Sequence, residues 1–560
     1  QLATAHHETD RLRHELRDSE SKMLIVQDAW SARTIQAERA AALHGEQFTE
    51  SVIRSNPDIA RRITGGQLVS VDDANAELLR FQRAGECLQH STAIAMQERA
   101  SEAADAAKLR SEVTDALKHI EMLKSAGVTV LFEHRVSAVE KSGGVIRAIT
   151  LDLAPFDETG CPPAAPTKAG ARVVAAKVFI DCSYEGDLMA RSGVAYTFGR
   201  EAKSTYSESL AGAQPPMSVY AIDPYVKAGD PQSGLLPGLQ STPVAPVGEA
   251  DKLTMGYGFR WRFVFKGESL PIEPPANYDP KQFELYRRAF KQGVDILSGR
   301  VLRGTVDGWE KSGGRVYSGG AGNLARALFA PTNYGHNARY PDGDYATRAQ
   351  LWKEQQDFVR GMTHFLRTDP SVPAKQKEIA LSAGLEKGAF DDTKGYPHQL
   401  YVREARRMVS DYVVTQKDME GKAAPTDSVG LASYGVDEWP YATVALDGKV
   451  ALMGGYYSML YLEEKNRGIY QIPYRSIVPK KAQCKNLLVP VCVSASHIAM
   501  TSIRMEPVWM ILGESAGVAA AMAVKSGQAV QDVPYADLQP KLRALHQKLD
   551  IPKQKEPTQK

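Results

Sequence analysis

Glycine and proline are divided unevenly along this chain. Of 45 glycines and 31 prolines, residues 1–126 hold only Gly45, Gly65, Gly66, Gly85 and Pro57. Both residue types interrupt regular helix. A segment nearly free of them reads as helical, and one rich in them reads as strands and turns. The chain is therefore two kinds of sequence joined near Gly127. In the first, Leu12, Leu16, Ser19, Met23, Val26 and Trp30 follow the a/d spacing of a coiled-coil seam for under three heptads. Leu109, Val113, Leu117, Ile120 and Leu123 form the stripe of a second helical run over 72–125. These helices offer a surface for self-association.

The charges nearly cancel: 68 Lys+Arg against 66 Asp+Glu, a net of +2. That balance argues against a protein that coats nucleic acid or an anionic membrane. The five cysteines form no C-x-x-C and no metal-ligand spacing, so neither a disulfide framework nor a metal site is expected. The most apolar stretch, 487–524, carries His497, Arg504, Glu506 and Glu514, so no membrane span is expected. The chain opens at Gln1 without a charged-then-apolar leader and reads as a processed or partial chain.

Beyond Gly127 the texture is mixed. Residues 128–132 read as a strand, and 136–139 and 145–151 as a hairpin around a Lys-Ser-Gly-Gly break. A Pro/Gly loop over 155–170 precedes a strand at 173–181, which runs straight into Glu185-Gly186-Asp187 and a short helix. Helices are expected at 345–366 and 399–415. A strand at 486–493, a polar loop through His497 and a helix over 507–525 close the fold.

Two of these motifs carry chemistry. Pro507 suits a first helical turn, where its missing N–H costs nothing. The helix N-terminus offers free N–H groups and partial positive charge to an anion. Gly513 and Gly517 leave one helix face bare for close approach; a plain strand–helix unit with a small-residue packing face has the same pattern. At 181–187, acidic side chains sit at the carboxyl edge of a strand, where open α/β sheets bind cofactors. The alternative is that Glu185 and Asp187 only complement a helix dipole.

Several stretches in order resemble the bacterial FAD-dependent oxidoreductase family, whose fold is of the glutathione-reductase type. They are Asp181-Cys-Ser-Tyr-Glu-Gly-Asp-Leu188, Gly199-Arg-Glu201 and Tyr206-Ser-Glu-Ser-Leu-Ala-Gly212. They continue with Pro397-His-Gln-Leu-Tyr-Val-Arg-Glu-Ala-Arg-Arg-Met408, Asp427-Ser-Val-Gly-Leu-Ala-Ser-Tyr-Gly435 and Ile472-Pro-Tyr-Arg-Ser-Ile-Val-Pro-Lys480. Ser494-Ala-Ser-His-Ile-Ala-Met-Thr-Ser-Ile-Arg-Met-Glu-Pro507 completes the set, so the resemblance spans about 128–545.

The resemblance implies an α/β protein with an FAD/NAD(P)-binding Rossmann-like domain split between 127–200 and 471–545. A substrate-covering region would fill 201–470, with a tail at 546–560 and an atypical helical segment at 1–126. It implies FAD, a small-molecule substrate, and a soluble chain of the bacterial cytoplasm or periplasm. Flavin contacts would come from Asp181, Glu185, Gly186, Asp187, Ser494, Ser496, Ser502, Met505, Gly513 and Gly517. His497 is the candidate base, since an unperturbed imidazole titrates near neutrality. Arg504 would hold an anionic substrate group or the flavin carbonyls, or else pair with Glu506 or Glu514. His398, Tyr401 and Arg403 either face the substrate or belong to a solvated or salt-bridged helix face, with Arg403 and Arg407 four apart on it. The stretch 317–323 is a candidate lid.

The departure is at the start. The family opens with a strand and a G-x-G-x-x-G turn for the FAD pyrophosphate, and residues 1–126 contain none. The implied activity is hydride transfer between a small organic substrate and flavin. The rivals are a relative that has lost its cofactor site and serves as a binding or scaffold protein and, ranked lower, a carbohydrate lyase or hydrolase.

Overall fold

The computed structural model describes residues 121–241, 244–264, 268–293, 315–316, 333–455, 460–462 and 468–552. The expected N-terminal helices, apart from their last turn at 121–125, and the candidate lid at 317–323 lie outside these residues.

Strands β1 (His134–Ser142) and β2 (Val145–Leu153) form the expected hairpin. Its turn is Gly143-Gly144, with φ of 60° and 75°. Positive φ at both turn residues gives the tight turn whose twist matches the strands, and glycine adopts it without steric cost. Strand β3 (Thr167–Ala175) pairs antiparallel with β2. The strand expected at 173–181 is two elements, because the chain changes sheets. After β3, Phe179–Ile180 (β4) pairs in parallel with Leu487–Leu488. Residues 128–132 form no strand: they are exposed and have no partner strand among the described residues, so β propensity alone does not order them.

The link between the two sheets is one side chain. Asn486 accepts from the Ile146 backbone N–H at 2.9 Å and donates to the Ile146 carbonyl at 2.9 Å and the Lys177 carbonyl at 3.1 Å. A backbone-like amide thus extends the β2 edge toward the parallel pair. The expected strand over 486–493 contracts to Leu487–Leu488 because the chain then turns away, with Val489 N–H donating to the Ile477 carbonyl.

Helix α1 (Asp187–Arg191) follows the 181–187 turn. Helix α2 (Tyr345–Thr368) is capped by the Asp344 carboxylate, which accepts from Thr347 N–H at 2.8 Å, and it buries Leu351, Trp352, Val359, Met362 and Phe365. No helix covers 399–415. Leu400–Tyr401 pairs antiparallel with Gly258–Phe259, and Arg407–Met408 with Tyr196–Thr197. Tyr401, Val402, Val409, Tyr412, Val413 and Val414 favour extended backbone. Arg403 and Arg407 therefore do not share a helical face.

Helix α3 (His497–Ile503) replaces the expected loop, with Ser496 Oγ accepting from Ala499 N–H at its start. Helix α4 (Glu506–Ser526) begins after Met505, carries Pro507 in its first turn and ends on Gly527. By length and composition α4 is long and apolar enough to cross a membrane, which the sequence reading did not expect. Its Val508, Leu512, Ala516, Ala519 and Ala523 stripe packs into the largest core, with Val429, Ile472, Leu488 and Ile498. The parallel pairing of β4 is brief and most pairing elsewhere is antiparallel, so the described part is a mixed α/β structure.

Replacing Asn486 leaves the buried Ile146 donor and acceptor without partners. Asn486→Ala is expected to cost about 2–4 kcal/mol. Urea unfolding checks this; a loss under about 0.5 kcal/mol contradicts the role given to the side chain.

Candidate functional site

The 181–187 turn is held from within. Asp181 Oδ1 accepts from Ser183 N–H at 3.0 Å and Ser183 Oγ–H at 2.6 Å, and Oδ2 accepts from Met189 N–H at 2.8 Å. Burial pushes its carboxyl up, against those hydrogen bonds. Gly186 has φ 67°, and a Cβ there would lie 2.8 Å from Met189 Cε and 3.1 Å from Cys492 Sγ. Glycine lets this turn close on the 489–493 segment. Tyr184 meets Trp509 edge to face at 5.1 Å. The two motifs expected to flank a cofactor thus touch each other directly.

Asp187 is engaged as well. Arg348 Nη1 donates to its two oxygens at 3.0 and 2.7 Å, and Arg406 Nη1 donates at 3.0 Å. Burial alone would raise the Asp187 carboxyl; the two guanidiniums overcome it and hold it below the usual carboxylate range. Glu185 accepts from Tyr340 O–H at 3.3 Å, and burial pushes its carboxyl up.

Arg407 organises the entry to α3. Fully buried, it donates from Nε to the Ala495 carbonyl at 3.1 Å and from Nη2 to the Gly199 carbonyl at 2.7 Å and Glu201 at 2.6 Å; Nη1 reaches Glu404 at 3.4 Å. Glu201 in turn accepts from His497 N–H at 2.9 Å. Ser496 Oγ donates to Glu208 at 2.6 Å, and Ser494 Oγ accepts from Ser410 N–H at 3.1 Å. Ser502 Oγ donates to the Tyr434 carbonyl at 2.5 Å and accepts from Tyr470 O–H at 2.8 Å. These three serines serve the fold. Met505 stands at the N-cap of α4, where no side chain caps the helix. A Cβ on Gly513 or Gly517 would meet nothing within 4 Å among the described residues, so no close approach uses that bare face.

His497 is fully buried, and neither ring nitrogen has a hydrogen-bond partner among the described residues. Its Nε2 lies 3.4 Å from Glu438 Oε1. Burial pushes the imidazole down to about 3, with Arg407 and Arg200 adding to the shift and Glu201 opposing it, so the contact pairs a neutral ring with the carboxyl at neutral pH. The near-neutral titration on which the base assignment rested is removed by desolvation.

The remaining candidates separate. Exposed His398 stacks on Phe156 at 5.3 Å and meets Phe390 edge-on at 5.5 Å. Arg504 pairs with Asp437, not with Glu506 or Glu514: Nη2 donates to the Asp437 carboxylate at 2.9 Å and carbonyl at 3.1 Å, while Nε has no acceptor. Arg403 donates from Nη1 to the Gly256 carbonyl at 2.9 Å and makes no ion pair among the described residues. Its guanidinium lies 4.2 Å from the Trp439 ring centroid and 4.9 Å from that of Tyr401. Burial, reinforced by Arg504, pushes it down to about 10. Arg260, exposed, covers Tyr401 at 4.2 Å. The site residues that sequence reasoning missed are Asp437, Glu438 and Trp439, together with Arg348, Glu201 and Glu208. The polar-aromatic run from Tyr434 to Tyr441, set between apolar stretches, was the available signal for the first three.

A flavin can be tested against this arrangement. The polar side chains at Asp181, Asp187, Ser494, Ser496 and Ser502 are spent inside the protein and do not fit as its holders. The end formed by Arg504 and the first turn of α4 does fit: Arg504 is buried and keeps an N–H without an acceptor among the described residues, and no side chain caps the helix.

Because His497 is neutral when folded and takes up a proton below its ordinary 6.5 when unfolded, stability should fall as pH drops from 6.5 toward 3. The lost contribution is up to about 5 kcal/mol. His497→Gln should flatten that limb in urea unfolding measured between pH 7 and pH 4; an unchanged slope contradicts the buried neutral ring.

No curated protein and no solved structure matches the chain. The model of one family, FAD dependent oxidoreductase, matches residues 64–542. That span begins well before 128, so residues 64–126 do have a counterpart in the family. Covering most of the sequence, the match shows that the chain belongs to the FAD-dependent oxidoreductase family.

Proposed function

We propose that this protein binds FAD and transfers a hydride between the cofactor and a small organic substrate at the Arg403–Arg504 pocket. The observation that carries this reading is the pair of neighbouring buried guanidiniums, Arg403 and Arg504, each keeping an Nε–H without an acceptor among the described residues. When bound, FAD supplies the two-electron acceptor or donor for a hydride at a substrate carbon.

The chain's own residues contribute position and charge. Arg504, oriented by Asp437, and the N-terminus of α4 present positive charge where the electron-rich edge of the ring would sit. Tyr401 and Trp439 wall Arg403 and keep water from it. His497 enters as a neutral buried group at the start of α3, not as the proton acceptor. The half-buried hydroxyls of Tyr401 and Tyr434 are the nearer groups able to exchange a proton with a substrate.

A second reading has its own observation: the side chains of Asp181, Ser183, Glu185 and Asp187 and of Ser494, Ser496 and Ser502 are used internally. That suits a relative that has lost its cofactor site and acts by binding.

A yellow preparation absorbing near about 450 nm, the flavin band, supports the enzyme; a colourless protein that takes up no added FAD sinks it. Arg504→Met is expected to weaken FAD binding by about tenfold or more, and Arg504→Lys by less. Titration of the apoprotein with FAD measures both; equal affinity in Arg504→Met and wild type removes Arg504 from the site.

A further inference from the structure

We infer that Arg403 is a receptor for a carboxylate on the substrate, so that the molecule oxidised or reduced here is an organic acid. This assignment rests on the flavoenzyme reading only for what is done to the acid, not for its binding.

The argument begins with the free edge of the guanidinium. Of the five N–H groups of Arg403, one from Nη1 is used by the Gly256 carbonyl. The Nε–H is buried without an acceptor, and Nη2 has no hydrogen bond among the described residues. Nε–H and one Nη2–H point the same way, and their spacing matches the two oxygens of a carboxylate. That enclosed side of Arg403 therefore has the geometry of a bidentate fork.

Charge points in the same direction. Arg403 lies near a second cation, Arg504, and the acid between them, Asp437, is hydrogen-bonded to Arg504. Glu404, next in sequence, is turned away: it accepts from Met255 N–H and faces Arg407. Among the described residues Arg403 has no carboxylate within hydrogen-bond reach. A buried cation without a counter-ion is costly, and a ligand that brings the negative charge removes that cost. Trp439 and Tyr401 cover the faces of the guanidinium, leaving its edge for the ligand. The exposed cation of Arg260 lies over Tyr401, on which Arg403 also rests, and would attract the same anion.

The same fork could meet the paired oxygens of the cofactor instead of a substrate, and binding experiments separate the two. Succinate and benzoate, each against its uncharged amide, are titrated calorimetrically into the full-length protein with FAD supplied. Each carboxylate should bind at least about tenfold more tightly than its amide. Arg403→Gln should lose about a hundredfold in carboxylate affinity, and Arg403→Lys, which keeps the charge but not the fork, about tenfold. The assignment is overturned if neither carboxylate is preferred over its amide, or if Arg403→Gln binds both as wild type does. It is also overturned if Arg403→Gln weakens FAD binding and leaves carboxylate binding intact, which would give the fork to the cofactor. The comparison of acid with amide on the wild type decides the matter even where a variant fails to fold. Carboxylate binding by a protein that takes up no FAD would leave this inference standing and remove the proposed activity.

Discussion

The candidate site depends on Arg407. Its guanidinium is fully buried and joins three pieces of chain: its own, with Glu404 beside it; Gly199 and Glu201; and Ala495 with, through Glu201, the first N–H of α3. Two carboxylates and two carbonyls face one cation. Removing either partner of such a set leaves charge uncompensated in low dielectric, which costs far more than the set contributes when intact. The position of α3, and through it of Arg504 and the first turn of α4, follows from this one side chain.

Extended backbone is what allows it. Successive side chains on a strand point to opposite faces. Arg406 accordingly reaches Asp187, Asp342 and the Glu185 carbonyl, while Arg407 reaches Glu201 and Ala495. Adjacent arginines thus serve two walls, the 181–187 turn on one side and the α3 entry on the other. A helix over 399–415 would have placed Arg403 and Arg407 on a single stripe and left one wall without its cation.

How much of this was legible follows from how local each signal is. The β1–β2 hairpin was, because the Gly143-Gly144 turn and the flanking alternation lie within twenty residues of one another. So were α2 and α4, whose stripes and end residues are local. The extended state of 399–415 was not. Its charge spacing mimicked a helix, while the strands it pairs with, at 196–197 and 258–259, lie far away in sequence. The buried neutrality of His497 was equally hidden, because a pKa is set by packing from elements the sequence does not place side by side. The 181–187 turn was read as a cofactor edge because acids at a strand end suit that role. Arg348 and Arg406, the cations that absorb Asp187, come from distant segments. The family relation was legible, since it rests on ordered local motifs.

The difference between His497 and Arg403 shows why burial alone does not mark a functional group. Both are enclosed, and both keep ring or guanidinium nitrogens without acceptors. An imidazole meets desolvation by giving up its proton, and the neutral ring that remains costs little to keep. A guanidinium has no such exit at physiological pH, since even when pushed down to about 10 it stays charged. The unmet demand therefore settles on Arg403. No described residue meets it with a carboxylate, which makes Arg403 the better guide to what this protein binds.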